Sequence, residues 1–168
     1  MLPGSKFRIL WIGDEDGWSA SDFGKRVFKK GKTITIIKTT GGKFLGAYMG
    51  FPIDPKGKSS GGHKSFIFYQ RHNKMYKLAN KPGKDEIYQL AKEPLHMSYG
   101  LHLHPGCKSN YVSNLGLATY GDYYLPKAAA ANNYVSGFYV LGKTDTKKGT
   151  DSIRVHFKCK YAETYLVY

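Results

Sequence analysis

The chain has 168 residues, 41% of them hydrophobic and 15% aromatic, enough for one domain with a real core and short for two. With only 23% charged residues it is neither a disordered tail nor a coiled coil. Its 26 Lys and Arg against 12 Asp and Glu leave a formal net charge of +14, which says nothing of fold and makes anionic surfaces the first candidate partners.

Phe7-Arg8-Ile9-Leu10-Trp11-Ile12 is a short β-favouring apolar run ended by Gly13, with Asp14-Glu15-Asp16-Gly17 as a solvated polar turn. Ser19 stands three residues before Asp22, a capping-box pattern, ahead of Phe23, Val27 and Phe28 at helical spacing. A helix is predicted from about Ser21 to Lys29, with Lys25, Arg26, Lys29 and Lys30 near its C-terminal end, where the helix dipole favours cations. Thr33 to Thr40 is β-branched almost throughout, and Gly41-Gly42 turns it into a second extended run, Lys43 to Gly50. Pro52 and Pro55 break the sheet before a Gly/Ser/Lys loop from Lys56 to His63.

Ser65 to Gln70 and Lys74 to Leu78 read as strands joined by a tight turn at Arg71-His72-Asn73, so that the sheet grows by meander. Ile87 to Ala91 fits strand or half-helix equally. Tyr99 to His104 alternates as a strand, Asn110 to Gly116 is a polar, Asn-rich stretch, and Lys127 to Ala131 is a loop turn. Val135 to Leu141, Ile153 to Phe157 and Tyr161 to Tyr168 are late strands. Strands outnumber helices, giving an α+β class that is mainly antiparallel β: a two-sheet β-sandwich with a few short flanking helices. The expected organisation is a single domain over residues 1–168, with residues 1–6 as a short extension.

The apolar runs fall far below the ~18 residues that a membrane-spanning helix needs. Met1 to Lys6 lacks the features of a secretory signal. An intracellular protein is expected, cytoplasmic first, or organellar if a presequence has been removed. Cys107 and Cys159 are the only cysteines and show no C-x-x-C spacing, so reduced thiols are expected.

Several motifs fall into order along the chain. Asp16-Gly17-Trp18-Ser19 with Phe23, Ile37-Lys38-Thr39-Thr40-Gly41, and Phe44-Leu45-Gly46-Ala47-Tyr48 are followed by Ser65-Phe66-Ile67-Phe68 and by Ser113-Asn114-Leu115-Gly116 with Tyr120. This set resembles TLDc domains, including versions common in protists, over about Ile9 to Tyr168. The family's D-G-x-S-x-x-x-F, I-K-x-T-x-G, S-F-L-F and S-N-L-G-x-x-Y elements are matched, with Leu45 inserted before Gly46. The chain departs from the pattern at Leu166, where an acid is usual, and at Gly100 to His104, which replaces G-G-H-D-L. The resemblance implies two packed antiparallel sheets and a module that acts by binding, with no catalytic residues and no cofactor. Such modules occur in oxidation-resistance proteins and in proteins that bind the vacuolar proton-pumping ATPase.

Three constellations are candidates for chemistry. Lys56, Lys58, Lys64, Arg71, Lys74, Lys77, Lys81 and Lys84 lie in a stretch with no acid between Asp54 and Asp85, interleaved with Phe66, Phe68, Tyr69 and Tyr76. They form a candidate site for nucleic acid or another polyanion, set against a solvated basic strand edge. His102 and His104, at i and i+2 with Cys107 beyond, are a candidate metal pair set against two histidines on a sheet face. Cys107, beside Lys108 and both histidines, is a candidate redox thiol set against an inert packed one. Asp14, Glu15 and Asp16 lack a calcium-loop pattern, and no serine sits in a nucleophile elbow. The alternative to an interaction module is a basic accessory subunit of a large assembly, binding nucleic acid.

Overall fold

The computed structural model describes residues 4–54, 58–59, 65–71, 74–79, 87–88, 94–97, 101–109, 113–118, 144–146 and 152–168. The apolar run at the start becomes β1 (Phe7–Ile12), but only its Trp11 is buried; Phe7 and Ile9 are 49% and 47% exposed. The strand stands at the edge of its sheet, which leaves those side chains uncovered. Asp14 to Asp16, expected as a solvated turn, instead form one helical turn, α1 (Gly13–Asp16). Asp14 and Asp16 are engaged by Lys108 and Arg26, which holds the turn against the body.

Helix α2 (Ala20–Val27) follows, with Ser19 as its N-cap: the Asp22 N–H donates to Ser19 Oγ at 3.0 Å, and Ser19 Oγ–H donates to Asp22 Oδ2 at 2.6 Å. The helix stops short of Lys29 because Phe28 is already extended and Lys29 takes φ 62°. Phe23 and Val27 face the core, Phe23 edge-on to Trp11 at 5.1 Å between ring centres.

Strands β2 (Thr33–Thr39) and β3 (Phe44–Met49) form the hairpin that the glycines announce, with Gly42 at φ 81° in its turn. Strict alternation along β2 buries Thr33, Thr35, Ile37 and Thr39 and leaves Ile34, Ile36 and Lys38 half-buried. Three of the four inward side chains therefore carry hydroxyls. One of them, Thr35, is hydrogen-bonded at 2.9 Å to the buried hydroxyl of Thr164.

The remaining strands are β4 (Lys58–Ser59), β5 (Phe66–Arg71), β6 (Lys74–Ala79), β7 (Ile87–Tyr88), β8 (Leu95–Met97), β9 (Leu101–Leu103), β10 (Ser113–Ala118), β11 (Thr144–Thr146), β12 (Ser152–Phe157) and β13 (Cys159–Val167). Every pairing is antiparallel, so the described residues form a mainly antiparallel β structure with two short helices. A six-stranded sheet runs β1-β13-β2-β3-β5-β6, a five-stranded sheet β11-β12-β10-β9-β8, and β4 pairs with β7. In the six-stranded sheet the meander expected from sequence holds along β2-β3-β5-β6, with β4 paired elsewhere, and the last strand inserts between β1 and β2. β4, within the stretch from Lys56 to His63 expected as a loop, and β8, β10 and β11 lie where no strand was expected, and Ile87-Tyr88 resolves as strand. The expected loop at Lys127 to Ala131 and strand at Val135 to Leu141 lie outside the described residues.

One buried cluster draws Ile37, Leu45, Ile67 and Ala162 from the six-stranded sheet, Leu95, Leu101, Leu103 and Phe157 from the five-stranded one, and Phe23 and Val27 from α2. On the opposite face of the larger sheet, Ile9, Tyr165, Ile34, Tyr48 and Phe66 stand in register across successive strands. Gly46 occupies that face too, where the Phe68 ring lies over it and an added Cβ would collide with the Thr35 carbonyl oxygen. Gly46→Ala is therefore expected to lower stability by about 3 kcal/mol in urea melts. By contrast Gly42→Ala, with open space around it, costs only about 1 to 2 kcal/mol for its left-handed backbone.

Candidate functional site

The Asp16-Gly17-x-Ser19 signature is built into one corner of the fold. Trp11, at the inward face of β1, donates its indole N–H to the Gly17 carbonyl at 2.9 Å, and the Ile12 N–H donates to Asp16 Oδ2 at 2.8 Å. Asp16 also pairs with Arg26 of α2 at 2.7 Å. Gly17 has φ 95°, and a Cβ there would lie 2.5 Å from the Asp22 carboxylate, so only glycine fits between strand and helix cap. Ser65 of the later motif accepts the Gly50 N–H at 3.0 Å in a buried position. Each signature residue seen here fastens one element to another.

Of the candidate polyanion cations, Lys58 lies on β4, Arg71 on β5 and Lys74 and Lys77 on β6, with Arg71 opposite Lys74 and Lys77 opposite Phe68 in register. The topology thus brings Arg71, Lys74 and Lys77 to the β6 edge of the six-stranded sheet. Lys56, Lys64, Lys81 and Lys84 lie outside the described residues, as do most of the loops between them.

The histidine pair does not share a strand: β9 ends at Leu103, His102 is half-buried opposite Asn114, and His104 is exposed in the following turn, its Nδ1 accepting the Gly106 N–H at 3.2 Å. Cys107 lies fully buried in the core, its N–H bonded to the His104 carbonyl at 3.0 Å and its own carbonyl accepting from the Cys159 N–H at 2.8 Å. Among the described residues, no group of three His, Cys, Asp or Glu side chains is placed to share a metal ion.

The cation next to that thiol, Lys108, reaches away from it. Its ammonium pairs with Asp14 at 2.9 Å, donates to the Lys160 carbonyl at 2.8 Å and lies 5.7 Å from the centre of the Trp18 ring. Hydrogen bonding from Lys108 holds the Asp14 carboxyl below its ordinary range against a smaller opposing effect of burial, with Trp18 adding a second bond. The electropositive setting expected for Cys107 is thus directed at a surface carboxylate. Cys107 and Cys159 are both free thiols, both buried.

Sequence reasoning missed the exposed apolar positions Phe7, Ile9 and Tyr168. The run from Phe7 to Ile12 is apolar on both faces of its strand, so no alternation marks which side is open.

A protein-family model described as TLDc domain matches residues 3–147. The chain belongs to the TLDc family. No curated protein matches it. The matched segment of this TLDc domain ends before β12 and β13, although β13 sits inside the main sheet. No described helix is long and apolar enough to cross a membrane.

On the outer face of β13 the Tyr165 hydroxyl donates to the Glu163 carboxylate. That bond, reinforced by burial and by the nearby negative charge, pushes the Tyr165 phenol up to about 12 from an ordinary 10.0. A folded pKa above the unfolded one means a contribution fully present below about pH 10 and lost as pH rises through about 12. Tyrosinate absorbance of the native protein should show Tyr165 among the last phenols to ionise. Stability should also fall more steeply over that window in the native chain than in Tyr165→Phe; identical slopes would contradict the assignment.

Proposed function

We propose that this TLDc domain is a non-enzymatic protein-interaction module, with the vacuolar proton-pumping ATPase as partner or oxidative-stress protection as its setting. The observation that carries this reading is that the family's signature residues Asp16, Gly17 and Ser19 hold strand, turn and helix together, while Gly46 lets β3 lie close against β2 and Phe68. A motif of that kind fixes a scaffold, and function then lies in the surfaces the scaffold presents. The two larger sheets pack face to face as a sandwich in this reading, supported by the one buried cluster that draws on both. An intracellular location follows from the same partner.

A second reading is favoured by the stretch from Lys56 to Lys84, whose eight basic residues have no acid among them. There the protein is a basic accessory subunit of a nucleic-acid-containing assembly. Arg71, Lys74 and Lys77 on adjoining strands would neutralise phosphates, and affinity would fall steeply with salt.

Affinity purification of the tagged protein from its own cells, with and without nuclease and at two salt concentrations, separates the readings. Recovery of proton-pump subunits that survives nuclease and moderate salt is expected for the interaction module. Loss of all partners on nuclease treatment would replace it with the nucleic-acid reading.

A further inference from the structure

All three large hydrophobic side chains exposed among the described residues gather at one end of the six-stranded sheet. They are Phe7 at 49%, Ile9 at 47% and Tyr168 at 63% exposure. Phe7 stands opposite Val167 and Ile9 opposite Tyr165, while Lys6 and Tyr168 exchange backbone hydrogen bonds of 2.7 and 3.1 Å. β2 begins at the same end: the Val167 N–H donates to the Lys32 carbonyl at 2.9 Å, and the loop between α2 and β2 arrives there.

That loop and the start of β1 carry Lys6, Arg8, Lys29, Lys30 and Lys32, all exposed. Asp14 and Asp16 lie at the far end of β1, paired with Lys108 and Arg26. Asp54 adjoins Ile53, whose carbonyl receives the Lys29 N–H at 3.0 Å. One end of the sheet is thus apolar at its tips and cationic around them.

We infer that this end of the sheet is a docking surface for an anionic membrane, with Phe7 and Ile9 entering the headgroup region and the surrounding cations meeting lipid phosphates and carboxylates. Charge decides the occupant. A second copy of the chain would bring the same cations against each other, on a protein already at +14. An acidic peptide added to the open edge of β1 by backbone pairing would leave the exposed Phe7 and Ile9 side chains unused. Apolar side chains exposed to about half their area, as Phe7 and Ile9 are, offer a surface that partitions into a lipid interface, while juxtamembrane cations add attraction to an anionic leaflet. β6, which carries Lys74 and Lys77, is at the opposite edge of the sheet from β1, and the inference does not depend on either reading of function above.

Co-sedimentation of the whole protein with phosphatidylcholine vesicles, with and without phosphatidylserine, tests it. Binding is expected only with phosphatidylserine and should weaken as salt is raised. Phe7→Thr with Ile9→Thr, which keeps β propensity in β1, should lower affinity by about tenfold or more. Lys32→Ala, at an exposed loop position, should lower it by about fivefold. A circular-dichroism melt shows that each variant is folded. Native protein that fails to sediment with phosphatidylserine vesicles at low salt overturns the inference. So does a double threonine variant that binds as well as native protein, since cations alone would then carry the contact. Displacement by polyglutamate from the apolar tips, seen as protection of Phe7 and Ile9 by the peptide and not by vesicles, would assign the surface to an acidic protein instead.

Discussion

The pairing of β13 on both of its sides is the constraint on which the larger sheet depends. Along one edge Phe7 to Ile12 runs against Val167 to Glu163, and along the other Cys159 to Leu166 runs against Thr39 to Thr33. Remove that strand and β1 has no neighbour in the sheet, α2 loses the wall that Trp11 provides, and the end carrying Phe7, Ile9 and Lys32 is no longer assembled. The contact is closed in the core by the Thr35–Thr164 hydroxyl pair, 129 residues apart in sequence. Two buried hydroxyls that satisfy each other avoid a desolvation penalty that either would incur against an apolar residue, so they favour this register. A β-bulge between Ile9 and Trp11 and another between Cys159 and Tyr161 then set which side chains face inward on either side of that register.

Around this frame the signature residues act as fasteners. Asp16 bridges the last amide of β1 and the Arg26 guanidinium, Gly17 presents its carbonyl to Trp11, and Ser19 starts the helix that delivers Phe23 to the same indole. A sequence motif that looks as specific as a catalytic signature is here the chemistry of a corner. The surface is correspondingly divided. Asp14 and Asp16 at the signature corner are paired, while the opposite end of the sheet carries exposed cations and exposed apolar side chains.

How much of this was legible in the sequence follows from how local each interaction is. The β2–β3 hairpin and the capped helix could be read because β-branched alternation, Gly41-Gly42 and the Ser19–Asp22 spacing are short-range signals. The helical turn at Gly13–Asp16 was not, because Asp14 and Asp16 are held by Lys108 and Arg26 from distant or later segments. β10 has the composition of a polar loop, and its strand character comes from pairing with β9 and β12 on its two sides. The position of β13 between β1 and β2 has no local signal at all. Among the candidate site residues, strand alternation placed His102 on an outward face but could not foresee that β9 stops before His104 or that Lys108 turns toward Asp14.

Native-state amide hydrogen exchange, followed residue by residue, tests the central claim most directly. If β13 is the element that holds the sheet together, amides of Ala162 and Thr164 exchange only with global unfolding, at the same free energy as those of Ile36 and Ile37 in β2. Exchange of β13 through a low-energy local opening, with β2, β3 and β5 still protected, would contradict it.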